Sequence, residues 1–257
     1  MTGRVEGRIA FVTGAGSGIG RAVAIRLAQE GATVIVTSRT PSHVDETANL
    51  VAAVGSKMPA TFVLDQNDRA SVEQALKESA SRFGPLDILS NNAGIDDPAE
   101  SPISETSDEI WRETFSVNVD GVFRICRAAI PLMRDGGAIV NVGSTNSLLP
   151  RANAAAYCAS KAALLQLTRS LALELAPRHI RANCLCPGIV NTPLTDLFLN
   201  QSDDPDSLRL EYAQSNPLQR IADPAEIANC VLFLASDEAG FVTGTSLVAD
   251  GGALAGG

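Results

Sequence analysis

Tyr157 and Lys161 stand four residues apart in YCASK. On a helix, residues at that spacing share a face, one turn from each other. A phenol with an ordinary pKa near ~10 is a poor base at neutral pH. A nearby ammonium favours the phenolate, so the pair makes chemical sense as a proton-transfer unit. The same spacing also arises from an ordinary exposed pair on a helix, so it needs company to carry a function. Ser144, in VGST, follows a strand-like run, and its hydroxyl could hydrogen-bond a substrate oxygen. A serine nucleophile is the competing chemistry. However, the surroundings are not G-x-S-x-G, and neither His43 nor His179 is a plausible partner. Asn118, in SVNVDG, falls in a helical stretch, where a polar residue usually faces solvent.

Near the N-terminus, the strand-like RIAFV runs into TGAGSGIG, Thr13 to Gly20. Glycines there permit a tight turn and let the backbone approach a pyrophosphate seated on the N-terminus of the next helix. The spacing is G-x-x-x-G-x-G, through Gly14, Gly18 and Gly20, with Ser17 and Ile19 in the same turn. A ligand-free turn is the structural alternative. The end of the second strand reads VIVTSRT and holds no Asp or Glu. An acidic residue there would receive the ribose 2′-hydroxyl of NAD and repel the 2′-phosphate of NADP. Ser38 can instead donate a hydrogen bond, and Arg39 can pair with a phosphate. NADP(H) is therefore expected in preference to NAD(H), although Ser17 adds no positive charge to the turn.

From the glycine spacing onward the chain resembles the short-chain dehydrogenase/reductase family. The likeness recurs in order through NNAG at 91–94, Asn118, Ser144, YCASK at 157–161, PGIVNT at 187–192 and VTGTSLVADGG. The resemblance implies a catalytic tetrad of Ser144, Tyr157, Lys161 and Asn118 and interconversion of an alcohol and a ketone or aldehyde, such as a secondary alcohol or 3-oxo compound. Tyr157 would be the general acid/base. Lys161 would lower its pKa and hold the nicotinamide ribose. Ser144 would orient the carbonyl, and Asn118 would help hold a water relay behind Lys161. It further implies that Asn91, Ala93 and Gly94 line the adenine-ribose side and that Asp65 and Gln66 approach the adenine. Pro187, Gly188, Ile189 and Thr192 would hold the nicotinamide end. Members of this family are usually dimers or tetramers. A homotetramer (or dimer) is thus expected, packed through helices near 107–133 and 153–176, with the C-terminal strand as a second interface. Members acting on carrier-protein thioesters tend to have basic residues where this chain has Pro131 and Leu173, which argues against such a substrate. Asp96 either borders the pocket or is a solvated loop carboxylate. An inactive dinucleotide-binding regulator or scaffold is the alternative function, and the intact tetrad argues against it. An epimerase or dehydratase of related chemistry would usually be longer.

These residues must be held by a scaffold, and the pattern supplies one. Strand-like runs at 8–12, 33–37, 61–65, 86–90, 138–143, 180–186 and 246–250 alternate with helical periodicity. Among the helices, Thr106 and Glu109 look like a capping box opening one toward Met133, and Asp223, Pro224 and Glu226 open another. Apolar strands separated by helices imply a single-domain, Rossmann-like, doubly wound parallel sheet over residues 1–257. Its ligands sit beyond the carboxyl ends of the strands. The polar, irregular stretch 191–220 is expected to be a lid whose Leu194, Leu197, Phe198 and Leu199 close over a largely apolar substrate.

Composition narrows the classes further. A net charge of −9 argues against nucleic acid and anionic membranes. No apolar run approaches ~18 residues, and no signal peptide is seen, so a cytoplasmic protein is expected. Five cysteines without a C-x-x-C pair read as reduced thiols, with Cys184 and Cys186 facing the same side of a strand. With only two histidines, no metal site is expected.

Overall fold

The computed structural model describes residues 3–55 and 58–256. Seven strands form one parallel sheet. They are β1 (Ile9–Thr13), β2 (Thr33–Ser38), β3 (Ala60–Val63), β4 (Leu86–Asn91), β5 (Met133–Val142), β6 (Arg181–Pro187) and β7 (Ser246–Ala249). Their order is β3-β2-β1-β4-β5-β6-β7, the doubly wound arrangement expected from the sequence. The order reverses between β1 and β4, which pair from Ala10↔Ile88 to Thr13↔Asn91 and leave a crevice at their carboxyl ends.

Alternation along the strands builds two cores. Ala10 and Val12 face α1 (Gly18–Gln29), α2 (Pro41–Val54) and a helix at Pro224–Ala235, meeting Val23, Leu27, Val44 and Val231. Ile9 and Phe11 face the other side, where α3 (Arg69–Phe83) and the helices after β4 and β5 supply Leu76, Ile125 and Leu164. Fully burying one such Leu, Ile or Phe side chain contributes about 1.5–3 kcal/mol.

Two elements differ from the sequence expectation. The helix expected from 107 to 133 is capped by Ser107, whose side chain accepts from Ile110 N–H, rather than by Thr106. It runs as α4 (Asp108–Phe115), a π-helical turn at Ser116–Gly121, and α5 (Val122–Ala129). Such turns re-aim side chains and concentrate at functional sites. Periodicity alone does not show this one, because residues on either side keep a normal helical pattern. The stretch 191–220 is not irregular. It holds α7 (Pro193–Gln201), capped by Thr192, and α8 (Pro205–Gln214), capped by Asp204. The long α6 (Ala155–Leu175) and α9 (Pro224–Ala235) complete the set, α9 opening on the expected capping box of Asp223 and Glu226. Among the described residues, no helix is long and apolar enough to cross a membrane.

Candidate active site

The carboxyl ends of the strands open into a cleft with two lobes. The first, about 300 Å³, lies over the glycine turn. Gly14 (φ 60°) turns the chain there, and a Cβ on it would come within 2.7 Å of Ala93 N, so β1 and the loop after β4 could not approach. Ser17 precedes α1 without a side-chain cap, and the first turn of α1 has no acidic residue. Its leading amide donors are therefore available to an anion. Gly14, Ser17, Gly18, Ile19, Gly20, Ser38, Arg39, Asp65, Gln66, Ala93 and Gly94 all line this lobe. Thr40, His43 and Asn92 line it as well, and the sequence reading missed them.

The NNAG assignment needs one correction. The Asn91 side chain does not line the cleft; its neighbour Asn92 does. Alternation along β4 turns Asn91 into the core, where Nδ2 donates to Asn141 Oδ1 at 2.8 Å. Asn141 in turn donates to Thr168 Oγ1 at 2.9 Å, so this buried chain ties β4 and β5 to α6. Breaking it would leave polar groups unpaired at about 1–3 kcal/mol each.

Two acceptors beside the first lobe are unpaired. Gln66 donates through Nε2 to Val117 O at 2.7 Å, which leaves its Oε1 buried without a partner, and Asn92 Oδ1 is in the same state. Such groups cost free energy unless a donor reaches them. Together with the uncapped helix they fit a dinucleotide: amide donors for its pyrophosphate and orphan acceptors for base or ribose donors.

The second lobe, about 410 Å³, is lined by Ser144, Tyr157, Lys161, Pro187, Gly188, Ile189 and Thr192. α6 carries Tyr157 and Lys161 on one face, with the Lys161 ammonium 5.6 Å from the Tyr157 ring centre. Lys161 is buried and donates to Val142 O at 3.0 Å, and burial pulls its pKa down. Burial pushes the Tyr157 phenol up; Asp96 adds to the rise, while the Ser144 hydroxyl and Arg151 oppose it. The Lys161 ammonium, beside the ring, points to the Val142 carbonyl. Ser144 opens a short turn at Thr145–Ser147 by accepting from Asn146 N–H at 3.1 Å.

Asn118 is fully buried, against the solvent-facing default for a polar helical residue. From the π-helical turn, Oδ1 accepts from Ile95 N–H and Nδ2 donates to Ile95 O, both at 2.8 Å, and Nδ2 also donates to Ser160 Oγ at 3.0 Å. Gly94 separates it from Lys161: a Cβ there would meet Lys161 Nζ at 3.2 Å and Asn118 Oδ1 at 3.3 Å. Ser144, Tyr157 and Lys161 thus line one lobe, with Asn118 buried behind Gly94 and Ile95.

Asp96 borders this lobe, the first of the two readings open from sequence. Phe198 of the expected lid borders it too, as do Arg151, Tyr212, Asn216 and Asp250, which sequence reasoning did not single out. Asp250 lies in the VTGTSLVADGG motif, while no motif marks Arg151, Tyr212 or Asn216; they come from loops and from α8, brought together only by folding. Cys184 and Cys186 face one side of β6 as expected, with sulfurs 3.9 Å apart beneath the floor.

Comparison with known proteins agrees with this geometry. The family model described as enoyl-(acyl carrier protein) reductase matches residues 14–253. A 3-oxoacyl-acyl-carrier-protein reductase of Thermotoga maritima is 35% identical over 97% of this chain and 98% of its own. A 2,3-dihydro-2,3-dihydroxybenzoate dehydrogenase of Bacillus subtilis is 39% identical over 98% of each. The crystal structure of carveol dehydrogenase from Mycobacterium avium, in complex with NAD, superposes with a TM-score of 0.92 at 31% identity, covering 99% of this chain and 100% of that one. The chain belongs to the short-chain dehydrogenase/reductase family and is an NAD(P)-dependent oxidoreductase that interconverts an alcohol and a carbonyl compound.

Proposed function

We propose that Tyr157 is the general acid/base of this reaction, with Ser144, Lys161 and Asn118 as its partners. The observation that carries this is the placing of Ser144, Tyr157 and Lys161 around one lobe, with Asn118 clamping the loop beside them. A bound nicotinamide dinucleotide supplies the hydride acceptor or donor. Tyr157 gives its phenolic proton to the carbonyl oxygen on reduction and takes the alcohol proton on oxidation. Reduction needs the protonated phenol, and the nearby Lys161 charge would favour the phenolate that the step leaves behind. Ser144 holds the reacting oxygen toward the phenol. Lys161, anchored at Val142 O, places a positive charge near the phenol and would hold the nicotinamide ribose. Asn118 acts through the loop it clamps. Its side-chain amide bonds Ile95 and Ser160, and the water relay behind Lys161 is proposed alongside that clamp.

Residues around the glycine turn, with Asp65, Gln66, Asn92, Ala93 and Gly94, would hold the adenosine half; Pro187, Gly188, Ile189 and Thr192 would hold the nicotinamide end. NADP(H) is preferred. Arg39 is exposed, lines the first lobe and has no ion-pair partner among the described residues, so its guanidinium is free for a 2′-phosphate. His43 stands in the same lobe.

The stretch 191–220 acts as the lid. Leu194 and Phe198, one helical turn apart, line the second lobe, while Leu199 packs inward and Leu197 lies outward. Exposed Leu173, Trp111, Phe123 and Phe241 support a homotetramer (or dimer), and the five free thiols support a cytoplasmic setting. Pro131 and the 80% exposed Leu173 occupy the places where carrier-protein enzymes tend to have bases, so the substrate is a small free carbonyl or alcohol rather than a carrier-bound one. The test is the near-ultraviolet absorbance of reduced nicotinamide, followed with a panel of ketones and alcohols and both dinucleotides. Absence of cofactor turnover across the panel, in protein that binds dinucleotide, would favour the inactive binding alternative.

A further inference from the structure

The substrate lobe has an apolar side, on the lid, and a polar side built around Asp96. The Asp96 side chain is only 7% exposed yet lines the lobe that Tyr157 and Ser144 also line. Burying a carboxylate is costly unless it is paired, and this one is held firmly. Oδ2 accepts from Arg151 Nη2 at 2.7 Å and Oδ1 accepts from Asp97 N–H at 2.9 Å. The preceding residue, Ile95, is fixed by Asn118. An ionised carboxylate offers about four acceptor positions, so two donors leave it able to accept from a ligand.

Arg151 decides between two chemistries. A free guanidinium in a substrate pocket would select an anion. Here one arm is engaged by Asp96, the other by Glu100, and its face lies 5.4 Å from the Phe198 ring centre. Arg151 is therefore a positioning residue whose charge is already matched. What the wall offers a ligand is a hydrogen-bond acceptor.

We propose that Asp96 is a specificity residue that accepts a hydrogen bond from a second hydroxyl next to the reacting carbon, so that the substrate class is vicinal diols and their hydroxyketones. This rests on the oxidoreductase reading of the same site. The second hydroxyl is not oxidised; it fixes which carbon faces the hydride position. A site built around a polar partner discriminates strongly against an analogue lacking it, because the buried group is left unpaired.

The experiment compares cis- and trans-cyclohexane-1,2-diol with cyclohexanol. It uses the dinucleotide-loaded protein, with thermal stabilisation by each compound and the ratio of kcat/KM as readouts. At least one diol should stabilise at a concentration about 10–100-fold lower than cyclohexanol does. Asp96→Ala should erase most of that difference. Asp96→Asn, which keeps the volume and one neutral acceptor, should keep part of it and covers the case in which Asp96→Ala fails to fold. Equal stabilisation by diol and mono-alcohol, no response to either, stronger stabilisation by 3-hydroxycyclohexanecarboxylate, or a full diol preference in Asp96→Asn and Asp96→Ala would each overturn the proposal. A diol preference in stabilisation without any reduction of dinucleotide would support the proposal and count against turnover alone.

Discussion

Asn118 and Ile95 are joined at two points, amide oxygen to backbone N–H and amide nitrogen to backbone carbonyl, both at 2.8 Å. The π-helical turn at Ser116–Gly121 aims the Asn118 side chain at the loop after β4. That loop carries Gly94 against Lys161 and Asp96 into the substrate lobe. Asn118→Ala removes both contacts together and should cost about 1–3 kcal/mol, which at this chain size is about 2–4 °C of Tm per kcal/mol. Turnover should fall with it, and the Ile95 amide should exchange faster. Unchanged exchange at Ile95 would show that the clamp does not hold the loop.

Tyr157→Phe removes the phenolic oxygen and little else. Dinucleotide affinity, measured by fluorescence titration, should persist, because the first lobe is untouched. Turnover should drop by about 10²–10⁴-fold, the usual size of a general acid/base contribution. Near-normal turnover would exclude Tyr157 from proton transfer.

Arg39→Ala should lower kcat/KM with NADP(H) by about 10–100-fold, the worth of a charged hydrogen bond, and leave NAD(H) nearly unaffected. The two cofactors are compared with one working substrate. A parent enzyme that favours NAD(H), or a variant with the parent's preference, would show that this side chain does not read the 2′ position.

Lid closure is read by hydrogen exchange across α7 and α8. The helices bury little: Leu199 is the one fully buried side chain of α7, and α8 has none. Their amides should exchange quickly in the free protein and slow when dinucleotide and substrate are both present. Exchange that is slow throughout and indifferent to ligand would make α7 and α8 a fixed wall.

Assembly is tested by light scattering at micromolar concentration. Leu173, 80% exposed on α6, and the fully exposed Phe241 near β7 should be covered in the oligomer. A dimer or tetramer is expected, and Leu173→Glu should shift it toward smaller species. A monomeric parent would refute the assembly and leave the enzymatic site intact.

The sequence by itself determined the sheet, the glycine turn and the Ser144, Tyr157 and Lys161 positions, because each depends on local rules. Short apolar strand runs, helical periodicity, glycine conformation and the one-turn spacing of Tyr157 and Lys161 all act over a few residues. Tertiary structure decided everything that depends on which loops meet. Asn91 and Asn92 are adjacent in sequence and identical in type, and only the pleat of β4 sends one into the core and the other into the cleft. Asn118 reads as a solvated helical residue until the π-helical turn inserts it behind Ile95. Asp96 and Arg151 lie 55 positions apart, and neither sits in a motif. Their pairing, and the polar wall it makes, exists only because β4 and the loop before α6 end on the same edge of the sheet. Burial then sets the direction of the Tyr157 pKa, which spacing to Lys161 could not supply, because desolvation is a property of the surrounding chain and not of the pair.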